Sequence, residues 1–277
     1  GDDEARTRPR LVVTRRMDYP PNRLFAGWLY NRAVDGVAAI SPSVTHALVA
    51  AGVRPDRIAL IPSGIDCDRF TPPNDAARIE ARTALGLTPN QFAIGAIGML
   101  ESRKGHRFLV EALALVRELS SNQLNLRCFI VGGGSLQTEL ADQIDALEDT
   151  GRIAPGTIRM LGVRDDPYPI LAALNLFVMP SIAEGLGVAS LEAMSCGLPV
   201  VASAVGGLRD LVQNRVTGLL VPPADPSALA GAIVELIAAP ELLTAMGAAG
   251  RTCVTDSYSA TAMAQRTLAL YRDCLAR

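Results

Sequence analysis

Short apolar runs alternate with amphipathic segments over the last two thirds of the chain. The intervening segments have helical length and carry apolar residues at helical spacing. Strand and helix in regular alternation predict an α/β fold with a doubly wound, parallel, Rossmann-like sheet. The six predicted strands are "FAIGAIG", "LRCFIVG", "TIRMLG", "LFVMP", "PVVAS" and "GLLVPP", all after residue 90.

The predicted helices carry recognisable faces and ends. Asp225 followed by Pro226 predicts a helix start, and Gly197 after "LEAMSC" predicts a helix end. The helix after the first strand is expected to bury one face. That face consists of Leu109, Ala112, Leu113, Val116 and Leu119.

The first 66 residues show the same alternation over a shorter length. They contain three candidate strands, "RLVVT", "GVAAI" and "RIALIP", and two helices around 23–34 and 43–51. We expect a partial second Rossmann-like domain at 1–66, preceded in the native protein by about a hundred residues. A linker at 67–90, a complete domain at 91–258 and a terminal helix at 259–277 follow. The missing half-domain would leave an apolar sheet edge near residues 10–14, which would favour association.

Composition and charge exclude several classes of protein. The net charge of −2 and a pI of about 5.8 argue against nucleic acid as a partner. Five scattered cysteines without a C-x-x-C pair argue against a disulfide framework or a zinc site, and indicate a reducing compartment. No apolar run approaches 18 residues, and the first residues lack a signal-peptide core. We therefore expect a soluble, cytoplasmic protein.

The loop "MLESRKG" joins the first predicted strand of the large domain to its helix. Open parallel sheets bind ligands at the carboxyl ends of their strands, and a helix amino terminus favours phosphate. Arg103 and Lys104 stand just before that terminus, and Lys104 is the single lysine among 26 lysine and arginine residues. A compact ammonium and a planar guanidinium are not interchangeable, so the loop is a candidate phosphate site. The alternative is a chance lysine on a solvated loop.

Two further loops are candidates for ligand contact. "IVGGGS", which includes Gly132, would let the backbone approach a ligand, although it lacks the full G-x-G-x-x-G spacing and a tight turn is the alternative. "PSIAEGLGVASLEAMSCG" places Glu184 before a helix and Glu192 on it. Carboxylates accept hydrogen bonds from paired hydroxyls, as on a sugar or a ribose. The alternatives are a charge stabilised by the helix dipole for Glu184 and a solvated helix face for Glu192.

Taken in order, five motifs resemble the group 1 family of glycosyltransferases, which are retaining enzymes of the GT-B fold. The resemblance runs from residue 58 to about 222. It implies transfer of a sugar from a nucleotide-diphosphate sugar to an acceptor hydroxyl, without metal or other cofactor. It also makes 91–258 the donor-binding domain and 1–66 the acceptor side. The motifs are "IPSGID", "GMLESRKGH", "FIVGGG", "MLGVRDD" and "PSIAEGLGVASLEAMSCGLPVVASAVGGLRDLV".

The resemblance also implies roles for residues. Lys104, helped by Arg103, would hold the donor phosphates, Glu184 would contact the transferred sugar, and Glu192 would bind the ribose. Catalysis would be mostly electrostatic stabilisation of the departing diphosphate while a hydroxyl attacks from the same face. The remaining donor contacts would come from the backbone of Gly132, Gly185, Leu186, Gly187 and Val188, and from the base loop at Val163 and Arg164.

The sequence departs from the family pattern at one position. Many members have an arginine after the glycine that matches Gly98, whereas this chain has Met99, so Arg103 would have to substitute. Near the start, "TRRMDYP" would bring Arg15 and Arg16 towards the cleft, with solvated charge as the alternative.

Other candidate sites are weaker. Asp66 and Asp68 match a metal-binding D-x-D only superficially and predict a turn instead. His46 and His106 stand in no metal-ligand pattern, so no metal site is expected.

Three rival interpretations remain open. They are a GT-B epimerase, a phosphorylase and a noncatalytic nucleotide-sugar-binding module, although a phosphorylase would need the single lysine for pyridoxal. Family members often act at membranes, and the basic cluster from Arg6 to Arg16 leaves peripheral contact with an inner membrane face as an expectation. The chain as given is expected to bind a donor but to transfer nothing by itself, because one wall of the cleft is incomplete.

Overall fold

The computed structural model describes residues 8–17, 23–120 and 124–276 and contains two parallel sheets. The smaller sheet has the strand order β1-β2-β3, which confirms the three strands predicted for this region. β1 lies at an edge of this sheet, and the side chain of Leu11 beside it is half exposed. Association through this edge stays a prediction. The strands are β1 Val12–Arg15, β2 Gly36–Ala39 and β3 Ile58–Leu60.

Two helices accompany the smaller sheet. α1, Arg23–Trp28, continues as a π-helical turn, Leu29–Ala33, and together they cover the first predicted helix. α2, Pro42–Ala50, begins after Ser41, whose hydroxyl accepts a hydrogen bond from the Val44 amide. Serine at this position satisfies an amide that the helix itself leaves unpaired.

The larger sheet has six strands in the order β6-β5-β4-β7-β8-β9, and every neighbouring pair is parallel. This order confirms the doubly wound sheet. The strand order reverses between β4 and β7, and ligands bind at the carboxyl ends of strands at such a switch point. The strands are β4 Phe92–Ile97, β5 Leu126–Val131, β6 Ile158–Gly162, β7 Leu176–Met179, β8 Val200–Ser203 and β9 Gly218–Val221.

The remaining helices pack on the larger sheet or join it to the smaller one. Among the described residues, no single helix has the length and hydropathy to cross a membrane; α9 and α10 reach that length only as a pair bent by 103°. The helices are α3 Asp75–Ala84, α4 His106–Leu119, α5 Gln137–Asp149, α6 Tyr168–Ala173, α7 Val188–Ser195, α8 Leu208–Leu211, α9 Pro226–Ala238, α10 Pro240–Ser257 and α11 Ala260–Ala276.

Helix ends follow the sequence signals, and the predicted buried face of α4 is confirmed except at Leu119. The Asp225 carboxylate accepts the Ala228 amide at 2.9 Å, and Gly197 ends α7 with φ 76°. Leu109 and the following apolar residues of α4 are buried as expected, but Leu119 is 61% exposed. The expectation for Leu119 was wrong because it is the last residue of α4, beyond the region covered by the core.

The predicted linker contains α3, which the sequence analysis did not include. Arg82 on α3 donates hydrogen bonds to the Ala173 carbonyl oxygen at 3.1 Å and to Asn175 Oδ1 at 3.2 Å. These contacts pack the helix against α6 and the larger sheet. The terminal helix α11 instead packs on the smaller sheet, where its Leu270 and Cys274 are buried against Ala38.

Candidate active site

The loops after β4 and β7 contact each other directly, because these strands are neighbours. A short 3₁₀ turn, Ser102–Lys104, precedes α4. The Arg103 carbonyl oxygen accepts the Ile182 amide at 2.8 Å. Gly105 has φ 66°, and a side chain there would overlap the carbonyl oxygen of Pro180. This close approach holds the cationic loop against the acidic loop.

Lys104 and Glu184 form an ion pair at the centre of this contact. Lys104 Nζ lies 2.5 Å from Glu184 Oε2, and only 12% and 11% of the two side chains are exposed. The hydroxyl of buried Ser181 lies 3.4 Å from the same carboxylate oxygen. The sequence analysis singled out both charged residues for different ligands, and the structure joins them to each other.

Arg103 is oriented differently from its neighbour. Its Nε donates to Glu101 Oε2 at 2.9 Å, and 48% of the side chain is exposed. Exposed pairs of this kind contribute little to stability, so Arg103 can change partner at low cost. Met99, at the position where many family members carry arginine, is 52% exposed.

The amino terminus of α7 lies next to this pair. Gly187 has φ 90°, and a side chain there would lie 2.5 Å from Leu208 Cδ2. α7 begins at Val188, and the first amides of a helix have no acceptor within it. A side chain at Gly185 would meet the Arg16 carbonyl oxygen at 2.6 Å, so the acidic loop also touches the smaller sheet. The Ser190 and Leu191 amides donate to the Gly187 carbonyl oxygen, so the amides left for a ligand are those at the start of the helix, at Val188 beside the region between the sheets.

A cavity of about 430 Å³ lies between the two sheets at this point. The larger sheet contributes predicted site residues, and the smaller sheet contributes residues that sequence reasoning missed or treated as solvated. Two sequence features could have pointed to these residues. Ser63 lies in the "IPSGID" motif, and Ile40 directly follows a buried strand. The lining consists of Arg103, Ala183, Glu184, Gly185, Leu186, Gly187 and Val188 with Arg16, Met17, Ile40 and Ser63.

A second cavity, about 380 Å³, opens at the amino ends of β5 and β6. Its lining contains none of the predicted site residues. Because open parallel sheets bind ligands at the opposite, carboxyl ends, the cavity beside Glu184 is the candidate site.

Glu192 lies apart from the ion pair. It is on the second turn of α7, half-buried, and burial raises the pKa of its carboxyl, with Arg69 lowering it and Asp166 raising it to smaller extents. Arg69 and Asp166 are themselves 3.1 Å apart, and both are exposed. The structure therefore gives the two predicted carboxylates separate surroundings.

The loops after β5 and β6 flank the β4 loop. Val163 is 71% exposed and Arg164 is also exposed. Gly132 has φ 143°, and a side chain there would overlap the carbonyl oxygen of Gly98. The glycine at this position is therefore required for the close packing of two loops, and its contact with a ligand stays a prediction.

His106 begins α4 directly behind Lys104. Its side chain is buried, and neither ring nitrogen meets hydrogen-bond geometry with a described residue. Burial and the Lys104 charge lower the pKa of His106 to about 4, against a weaker opposing effect of the Gly98 and Met99 carbonyl groups. The ring is therefore neutral near pH 7 and adds no second positive charge.

The Asp66 carboxylate forms a turn, as predicted. Its Oδ1 accepts the amides of Asp68 at 3.1 Å and Arg69 at 3.0 Å. Among the described residues, no group of three or more histidine, cysteine or acidic side chains is arranged to hold a metal ion. His46 lies outside the cavity lining.

Comparison with known proteins places this site in a family. The model of the family described as "Glycosyl transferases group 1" matches residues 91–239. Two curated relatives are named D-inositol 3-phosphate glycosyltransferase. That of Segniliparus rotundus is 35% identical over 80% of this chain and 48% of its own length, and that of Catenulispora acidiphila is 33% identical over 92% and 61%. The chain thus spans about half to three fifths of these relatives.

Solved structures show the same architecture. HepE from Anabaena in complex with UDP superposes with a TM-score of 0.85 at 25% identity, covering 95% of this chain and 72% of that one. Its complex with UDP-glucose has a TM-score of 0.84 at 26% identity and covers 95% of this chain and 72% of that one. Sucrose-phosphate synthase from Thermosynechococcus elongatus has a TM-score of 0.78 at 30% identity and covers 92% of this chain and 61% of that one. These likenesses extend over both sheets of the chain.

Proposed function

The chain belongs to the group 1 family of glycosyltransferases, and from this premise we propose that the protein moves a sugar from a nucleotide-diphosphate sugar to an acceptor hydroxyl. The anomeric configuration of the sugar is retained, and no metal takes part. One observation carries the proposal: Lys104 and Glu184 meet at 2.5 Å on neighbouring loops, beside the free amides of α7 and a cavity between the sheets.

The arrangement suits both parts of such a donor. A diphosphate is stabilised by a cation together with helix amides, and Lys104 and the first amides of α7 supply these. Sugar hydroxyls need hydrogen-bond acceptors, and the Glu184 carboxylate supplies one at the cavity wall. Phosphate and sugar are adjacent in the donor, as the two side chains are here.

In the reaction, negative charge grows on the departing nucleotide diphosphate. Lys104 and the amides near Val188 stabilise that charge, and Arg103 joins them after leaving Glu101. Removing one such group typically costs about 2.7–4 kcal/mol of transition-state stabilisation. The acceptor hydroxyl is held by residues of the smaller sheet and attacks from the face that the diphosphate leaves. Its oxygen bonds to the anomeric carbon as the bond to the diphosphate breaks, and its proton passes to the departing diphosphate oxygen.

The rest of the donor extends along the larger sheet. Glu192 accepts hydrogen bonds from the ribose hydroxyls, and the loop at Val163 and Arg164 contacts the base. Gly132 packs on Gly98 of the β4 loop, and its amide donates to the Gly162 carbonyl oxygen at 2.9 Å, directly before the loop at Val163. These assignments rest on the family motifs and on the position of each residue at the carboxyl end of the sheet.

The comparisons suggest the first ligands to test. HepE binds UDP and UDP-glucose in its crystals, which makes UDP-glucose the first donor. The names of the curated relatives make D-inositol 3-phosphate the first acceptor. Arg16 on the smaller-sheet side of the cavity offers a cation to a phosphorylated acceptor.

A panel of nucleotide sugars tested by thermal shift in the presence of EDTA examines donor binding. We expect one of them to raise the melting temperature, since a ligand that binds only the folded state stabilises it by mass action. If no nucleotide sugar shifts the melting temperature, the proposal is wrong.

NMR of the anomeric proton in a transfer product tests whether the configuration is retained, because a product of inverted configuration contradicts retention. Donor binding by the full-length protein without transfer to any acceptor would instead favour the noncatalytic binding module.

A further inference from the structure

The Lys104–Glu184 pair joins two residues whose proposed ligands are different parts of the donor. In the structure the two charges neutralise each other, with Lys104 Nζ 2.5 Å from Glu184 Oε2. Among the ion pairs between described residues, this is the one in which both side chains are less than 15% exposed. A diphosphate that binds Lys104 must therefore compete with a nearly buried carboxylate for the ammonium.

We propose that Glu184 is an internal counter-ion which competes with the diphosphate for Lys104, so that the site prefers a nucleotide sugar over the bare nucleotide diphosphate. This inference rests on the proposed function. It assigns to Glu184, besides contact with the sugar, discrimination between the donor and the nucleotide product.

The physical reason is the cost of an unpaired charge in a place that water hardly reaches. A buried ion that loses its partner is destabilised much more than an exposed one. When a bare nucleotide diphosphate binds Lys104, the Glu184 carboxylate loses its cation, and Ser181 at 3.4 Å remains as its neighbour. When a nucleotide sugar binds, the sugar hydroxyls donate to that carboxylate and compensate for the loss.

The same competition acts after transfer. Once the sugar has left, the nucleotide diphosphate stays on Lys104 while Glu184 lacks both its cation and the sugar hydroxyls. Re-formation of the pair then favours release of the nucleotide. Arg103 cannot act in this way, because its partner Glu101 and its own side chain are both substantially exposed.

Calorimetric titration of UDP and UDP-glucose into wild type and Glu184→Gln tests the inference. The substitution preserves shape but removes the charge that competes for Lys104. We expect UDP to bind about tenfold more tightly to the variant, while UDP-glucose gains nothing or weakens. The preference for UDP-glucose over UDP therefore falls. An unchanged or weaker UDP affinity in Glu184→Gln overturns the inference.

Two further variants exclude a general effect of net charge. Glu118→Gln breaks an exposed pair with Arg152 at the far end of α4, with the same change in charge, and we expect its UDP affinity to stay within about twofold of wild type. In a Lys104→Met background, adding Glu184→Gln should leave UDP affinity nearly unchanged. A tenfold gain in that background would contradict the counter-ion. Failure of the proposed function is distinguishable, since wild type would then bind no nucleotide sugar of the panel; if the panel gives another nucleotide, the same titrations use that nucleotide diphosphate and its sugar.

Discussion

Single residues of the site differ in how their charges are balanced. Glu184 has its own cation, whereas Glu192 is influenced by Arg69, which is already paired with Asp166. Burial accordingly raises the pKa of Glu192 above its ordinary value of 4.5. When a half-buried carboxylate is ionised and has no ligand, it lowers the free energy of unfolding. Such a destabilising charge is typical of a binding site.

Glu192→Gln should therefore stabilise the unliganded protein at neutral pH. Because the folded-state pKa is raised, the stability contributed by this group is present below pH 4.5 and is lost as the pH rises through the folded pKa. We expect the variant to melt above wild type at pH 7.5, with a difference that shrinks as the pH approaches 4.5. Thermal melts of both proteins between pH 7.5 and pH 4.5 measure this difference. A variant that melts below wild type at pH 7.5 would contradict the assignment.

Sequence patterns indicated the charged site residues but not their pairing. Lys104 and Glu184 are 80 positions apart, and no local pattern shows that the loops after β4 and β7 meet. That contact depends on strand order, which periodicity does not define. Ser63 was missed for the same reason, because it reaches the cavity from the other sheet, whereas Arg16 lies in the cavity wall as one of its two interpretations predicted.

At the scale of elements, the strands were predictable and one helix was not. Strands of a covered parallel sheet are apolar on both faces, and β7 and β8 are buried at every position. α3 buries only Ala81 among its ten residues. Half of its residues are charged or polar, and a proline pair precedes it, so the sequence resembles a connecting segment. The tertiary contacts of Arg82 identify it as part of the packed structure.

The loops that form the site depend on glycines that bring backbones together. Gly132→Ala would force a side chain into the Gly98 carbonyl oxygen at a φ of 143°. We expect a loss of about 2–4 kcal/mol in unfolding free energy. Chemical denaturation measures this loss. Gly231→Ala in α9 is the control, since its Cβ meets open space, and it should be neutral or stabilising by up to about 1 kcal/mol. Equal effects of the two substitutions would contradict the packing argument.

At the scale of the whole molecule, the site exists because two sheets are held in one arrangement. One hydrophobic cluster contains Val44 of the smaller unit and Leu208 of the larger one. Arg251 on α10 donates to the Phe70 carbonyl oxygen at 2.7 Å and to the Ser195 carbonyl oxygen at 2.8 Å, which ties the linker to α7. The sequence predicted two units with a cleft between them, and the structure identifies the residues that line this cavity.

The central claim is that Lys104 is the phosphate contact of a nucleotide-diphosphate site. Calorimetric titration of UDP and of uridine into wild type, Lys104→Met and Arg107→Met tests it most directly, since Arg107 is a nearby exposed cation whose guanidinium lies over the Phe108 ring. We predict that Lys104→Met weakens UDP binding at least about tenfold while uridine binding is unchanged, and that Arg107→Met resembles wild type. Equal UDP affinities for wild type and Lys104→Met, or an equal loss for uridine, would contradict the claim.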